Sequence, residues 1–198
     1  MAHASRFALA ARFVDGDVLD YGCADGYFSK VAGDRARVTN YEPQDANAPT
    51  DGTPCLRTLR GLERRFDCIA CLEVLEHVTD DKLNEFFDDV RRLLAPDGRV
   101  IVTVPVMIGP IGFLKIAMYL GRSGGYTIGS AFRHLLGVMP GARHLRRDGL
   151  YEHEGFDYRK LRTRLRSEFS VVEQHCSPFG ALPPWLNSQV CFVCRGPK

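Results

Sequence analysis

Short apolar runs bounded by Gly, Pro or acidic residues alternate along the chain with segments whose apolar residues recur every three or four positions. The first kind of pattern is that of buried strands and the second that of amphipathic helices. Val18-Leu19 within 17–20 predicts a first strand, 38–41 a second that ends in Glu42-Pro43, and 55–59 a weak third. Phe66-Asp67-Cys68-Ile69-Ala70-Cys71-Leu72 predicts a fourth, and 100–104 a fifth that stops at Pro105. Two closing strands are expected over 169–174 and 190–193. Helices are expected over 3–13, 25–33, 157–166 and 80–94, the last from the spacing of Leu83, Phe86, Phe87, Val90, Leu93 and Leu94. The polar stretch 44–54 reads as loop and Pro96-Asp97-Gly98 as a turn. Strands alternating with helices imply an α/β fold with a mainly parallel sheet.

The 198 residues are enough for one domain, read here as 1–198, with a sizeable core. The net charge of +2 gives the whole molecule no strong electrostatic bias. Of seven cysteines, Cys68, Cys71, Cys191 and Cys194 fall in strand-like apolar runs, where they behave as small hydrophobes. Cys191 and Cys194 have metal-ligand spacing, but alternation explains them better: Val190, Phe192 and Cys194 would share one face of a strand. A reduced, cytoplasmic setting is the expectation. Residues 1–14 carry Arg6 and Arg12 and lack the long apolar core of a signal peptide. No uncharged run reaches the roughly 18 residues of a membrane span.

The first strand leads into Asp20-Tyr21-Gly22-Cys23-Ala24-Asp25-Gly26-Tyr27-Phe28. Gly22 and Gly26 let a ligand lie against the backbone. The spacing is Asp-x-Gly-x-x-x-Gly rather than the Gly-x-Gly-x-x-Gly of a dinucleotide site. Asp25 at the helix mouth would repel a pyrophosphate and tolerate a cation. The stretch resembles the first motif of class I S-adenosylmethionine-dependent methyltransferases, with Ala24 where that family often has glycine. The resemblance covers 17–105 and, more loosely, 150–198. It implies a Rossmann-like, doubly wound, seven-stranded sheet, mostly parallel with an antiparallel last strand, plus a helical cap insertion. It also implies S-adenosylmethionine as cofactor, with Asp20, Tyr21, Gly22, Cys23, Ala24 and Gly26 around its methionine part. Glu42, at the end of the second strand, would take the ribose hydroxyls, and Leu72 would pack on the cofactor. The family often places an acid after its third strand to bind adenine; Thr58 or Arg60 stands near that position, and neither is acidic.

Leu72-Glu73-Val74-Leu75-Glu76-His77-Val78 follows the fourth strand directly. On a helical turn Glu73, Glu76 and His77 would project to one side. Two carboxylates and an imidazole there suit a divalent cation. The arrangement resembles the Glu-x-x-Glu-His of small-RNA 2′-O-methyltransferases and a similar motif in ubiquinone-pathway O-methyltransferases. By that resemblance Glu73, Glu76, His77 and the downstream His153 form a metal set for Mg²⁺ or Mn²⁺. A metal would lower the pKa of an acceptor hydroxyl. Without one, His77 or His153 would act as general base, with Glu76 beside it.

Residues 106–150 contain nine of the 19 glycines and six Lys or Arg against one Asp, so this segment carries +5 and the remainder −3. It is also apolar, over 111–120 and 132–139. It reads as two short helices on glycine hinges, a cap over the cleft that recognises substrate. Such a cap fits a small-molecule, glycan-linked or lipid-linked acceptor, and peripheral membrane contact through 106–150. The combined expectation is an enzyme that moves a methyl group to a hydroxyl. The alternatives are an RNA 2′-O-methyltransferase, a nicotinamide-dependent oxidoreductase and a non-catalytic subunit of the same fold. Nucleic acid ranks below small acceptors because the net charge is small and no stacking platform is visible.

Overall fold

The computed structural model describes residues 7–119, 127–137 and 156–198. Seven strands form one sheet: β1 (Gly16–Tyr21), β2 (Ala36–Tyr41), β3 (Cys55–Leu56), β4 (Phe66–Leu72), β5 (Leu94–Pro105), β6 (Phe169–Ser177) and β7 (Gln189–Pro197). Their order is β3-β2-β1-β4-β5-β7-β6. The first five are mutually parallel, and β7 is antiparallel to both its neighbours. The helices are α1 (Tyr27–Ala32), α2 (Asp80–Leu93), α3 (Gly109–Tyr119), α4 (Ile128–Leu136) and α5 (Tyr158–Glu168). This is the Rossmann-like doubly wound sheet expected from the sequence.

Period-2 alternation along the strands builds two cores, one on each face. Leu19, Ile69, Cys71, Val100, Val102 and Phe192 face one side, where Phe86, Phe87 and Val90 of α2 and Leu161 and Leu165 of α5 meet them. Val18, Cys68, Ala70, Ile101, Cys191 and Val193 face the other, against Phe28 and Ala32 of α1 and the short 3-10 helix Ala10–Arg12. Because β4 is covered on both faces, its sequence is a continuous apolar run interrupted only by exposed Asp67. Val190, Phe192 and Cys194 do share a face, and all seven cysteines are free thiols. The expected turn at Pro96-Asp97-Gly98 falls within β5, where the pairing with β4 slips between Phe66 and Cys68.

This topology puts six connections at one end of the sheet. They are the loops after β1, β2, β3, β4 and β5, and, because β7 runs backwards, the β6–β7 loop. The strand order reverses between β1 and β4, the place where open α/β sheets bind their ligands. No helix among the described residues is long and apolar enough to cross a membrane.

Candidate active site

Asp20 lies on β1 with its side chain fully desolvated, 2% exposed, and its Oδ2 has no hydrogen-bond partner. Burial, helped by the nearby carboxylates of Asp25 and Glu42, raises its pKa from 3.8 to about 7. Asp25 and Glu42 thus act on a buried carboxyl for which no described residue supplies a cation. A buried carboxylate oxygen left this way is costly, and a positively charged ligand would relieve it.

The loop that follows is shaped by left-handed backbone at Gly22 (φ 80), Ala24 (φ 46) and Gly26 (φ 69). Gly22 is required twice over: a Cβ there would also lie 2.7 Å from Cγ2 of Val74. Four of the loop's amides are already used. Gly22 and Cys23 both donate to the Tyr41 carbonyl (2.8 and 3.0 Å), Gly26 donates to the Cys23 carbonyl (2.8 Å), and Ala24 donates to Glu42 Oε2 (3.2 Å). Asp25 Oδ1 accepts from the amide of Tyr27, the first residue of α1 (3.1 Å). A phosphate would find most of the loop's amides taken and an acid at the helix mouth. The donor set fits a cationic cofactor that carries hydroxyls.

Glu42 is buried, and its Oε1 accepts from the Gln44 amide (3.0 Å) while Oε2 holds Ala24. It therefore ties the cofactor loop to the end of β2, a role not visible in its sequence position. Tyr21 is turned away from the loop: its hydroxyl donates to Asp89 (3.1 Å), and its ring packs on Tyr41 and Phe86. Only its backbone faces the loop side. Cys23 is buried, with its Sγ 3.5 Å from that of Cys55, and Leu72 is buried at the end of β4. Thr58 and Arg60 open onto a cleft of about 510 Å³ beside α2, shared with Tyr41, Glu85 and Asp88.

The segment after β4 corrects one expectation. Residues 73–79 are turns and bends, not helix. Glu73 has φ 58, which breaks any helix at its first residue, and its amide donates to the Thr103 carbonyl of β5 (2.9 Å). Its carboxylate accepts from Gln189 Nε2 at the start of β7 (2.9 Å). Glu76 is instead buried, 3.7 Å from Nε2 of His77, whose side chain is 39% exposed. Glu73, Glu76 and His77 therefore do not share a face, and among the described residues no three His, Cys, Asp or Glu side chains are gathered as a metal requires. Of the set expected for Mg²⁺ or Mn²⁺, the described Glu73, Glu76 and His77 are not gathered together. His153 lies outside the described residues. Gln189, 116 residues from Glu73, was missed as a site residue, because nothing in a local pattern reports such a partner.

Beside the ends of β5 and β7 lie α3 and α4, the two helices expected within 106–150. Lys115 Nζ on α3 donates to the carbonyls of Val106 (3.1 Å) and Ser188 (2.7 Å), which joins the ends of β5 and β7. Buried His134 of α4 bonds the Met107 carbonyl through Nδ1. Asn187 is fully buried and fastens the β6–β7 loop through the backbone of Phe179, Leu182 and Pro183.

A reversed last strand, an acid-ended β1 and a glycine loop without a phosphate cradle define a class I methyltransferase fold. The sequence matches the methyltransferase domain family over residues 1–181, and the chain belongs to that family. Solved structures agree in fold. A SAM-dependent methyltransferase from Archaeoglobus fulgidus superposes with a TM-score of 0.62 at 11% identity, over 100% of this chain and 93% of that one. DhpI in complex with SAH superposes with a TM-score of 0.55 at 19% identity, over 100% and 85%. The Burkholderia thailandensis 1,6-didemethyltoxoflavin-N1-methyltransferase, with bound 1,6-didemethyltoxoflavin and S-adenosylhomocysteine, gives 0.56 at 19%, over 99% and 77%. No curated protein matches the sequence.

Proposed function

We propose that the protein is an S-adenosylmethionine-dependent methyltransferase that acts on a hydroxyl of a small, glycan-linked or lipid-linked acceptor. The observation that carries the cofactor assignment is the buried, unpartnered Asp20 carboxylate beside Asp25 and Glu42. Solved relatives of the fold hold SAH or SAM, in DhpI and in the Burkholderia enzyme.

When bound, S-adenosylmethionine supplies an electrophilic methyl group on a sulfonium. The chain's part is to hold that cation and to present the acceptor in line with it. Asp20, Gly22, Cys23, Ala24 and Gly26 would line the methionine half, and Leu72 would pack against the cofactor. Each Glu42 oxygen is engaged by one amide and keeps acceptor capacity for ribose hydroxyls. His77 would take the acceptor's proton on a ring nitrogen as the oxygen forms its bond to the methyl carbon. Glu76, buried behind it, would steady the imidazole and balance its charge. A hydroxyl needs such a base, because it is a poor nucleophile while it keeps its proton.

Calorimetry with S-adenosylhomocysteine tests the cofactor assignment. Binding to the wild-type protein, weakened at least about tenfold in Asp20→Asn, is expected; tenfold corresponds to about 1.4 kcal/mol. Binding of NADH with none of S-adenosylhomocysteine would reverse the assignment. So would an Asp20→Asn protein that binds as tightly as the wild type.

A further inference from the structure

Among the described residues nine large apolar side chains are exposed, and eight of them lie on three elements that touch one another. Leu114 and Met118 are on α3, and Ile128, Phe132 and Leu136 are on α4. Phe179, Leu182 and Trp185 are on the β6–β7 loop. Helix α3 packs against α4 on one flank and against the Pro184–Leu186 turn on the other, where Gly109 lies under Trp185.

The polarity of α4 is inverted. It buries Ser130 and His134 and turns Ile128 (69% exposed), Phe132 and Leu136 (72% exposed) outward, four residues apart along one stripe. A surface helix of a globular protein does the opposite. Clustering on this scale marks an interaction surface. The described residues of α3, α4 and 178–188 include no acid, and exposed Arg133 stands beside Phe132 on α4.

We infer that α3, α4 and the β6–β7 loop form a docking face for an anionic lipid bilayer, with the apolar stripe at the acyl boundary and Arg133 at the headgroups. Basic and apolar groups presented together are the signature of interfacial binding. A second copy of the chain fits less well, because a two-fold contact would set Arg133 of each copy against a face whose described residues include no acid. The face lies at the end of the sheet that carries the candidate active site, so docking would bring that site to the lipid surface. This inference stands apart from the cofactor assignment.

The test is sedimentation of the full chain with vesicles of phosphatidylcholine alone and of phosphatidylcholine mixed with phosphatidylglycerol. The protein should pellet with the mixed vesicles, far less with the neutral ones, and progressively less as salt is added. Phe132→Ser combined with Leu136→Ser should weaken this binding at least about tenfold, since both side chains would leave lipid. Affinity for S-adenosylhomocysteine should not change. If that pair does not fold, Met118→Ser on α3 should give a smaller loss in the same direction. The inference fails if the protein ignores the mixed vesicles, pellets equally with neutral ones, or binds them as well after the substitutions. It also fails if the protein is a dimer that the same substitutions split.

Discussion

Two loop regions at the same end of the sheet are built on opposite principles. Around β1 and α1 nearly every polar group is spoken for: four amides are bonded within the loop or to β2, Asp25 caps α1, and Glu42 is held at both oxygens. The exception, Asp20 Oδ2, marks where a ligand belongs. Around α3 and α4 the imbalance is apolar: the protein leaves large hydrocarbon side chains in water and hides a serine and a histidine. On the proposed reading a cofactor meets a rigid polar socket and an acceptor meets a surface that no described residue covers. An unsatisfied group identifies a ligand's charge, whereas an exposed apolar face identifies only its greasiness.

Substitutions can break or sharpen that contrast. The largest effect is expected at the boundary between the two regions. His77→Ala should lower turnover by about 10²- to 10⁴-fold and leave S-adenosylhomocysteine affinity nearly unchanged; equal turnover would remove His77 from the chemistry. Next comes pH. Asp20 titrates near 7 in the folded protein against 3.8 as a free group. The native state therefore keeps a proton that the unfolded chain has lost, and this group's stabilising contribution is complete below about pH 4 and gone once the pH passes 7. The loss is on the order of 4 kcal/mol. In urea titrations without cofactor, Asp20→Asn should gain stability over wild type between pH 5 and 8. A constant difference across that range would refute the buried carboxyl. Gly22→Ala should destabilise by about 2–4 kcal/mol, from left-handed strain and the Val74 contact, read as a lower Tm. Ala24→Gly is the smallest effect and has the opposite sign. It relieves the left-handed alanine and should stabilise by about 0.5–1 kcal/mol.

The same contrast explains what could be read from the sequence. The limits of β4 and nearly those of α2 follow from continuous burial and helical spacing, and both are local signals. The loop after β1 was legible because two glycines, an acid-ended strand and Asp25 lie within seven residues. Residues 73–79 were misread as a helical turn: three- and four-residue spacing gave the pattern, but the bond from the Glu73 amide to Thr103 holds Glu73 left-handed. With that turn went the shared face expected of Glu73, Glu76 and His77. Glu42's hold on Ala24, Tyr21's bond to Asp89 and Gln189's bond to Glu73 each depend on sheet topology, which brings distant segments together. The outward stripe of α4 was hidden for another reason: an apolar face reads identically whether it looks inward or out.

The crowding of Val74 against Gly22 joins the segment that would grip the methyl donor to the one bearing Glu76 and His77. Neither can drift without displacing the other. Enlarging residue 22 by a single carbon should thus perturb donor affinity and proton abstraction together, and trimming Val74 should loosen both at once. Two halves of one reaction would share a steric hinge pin.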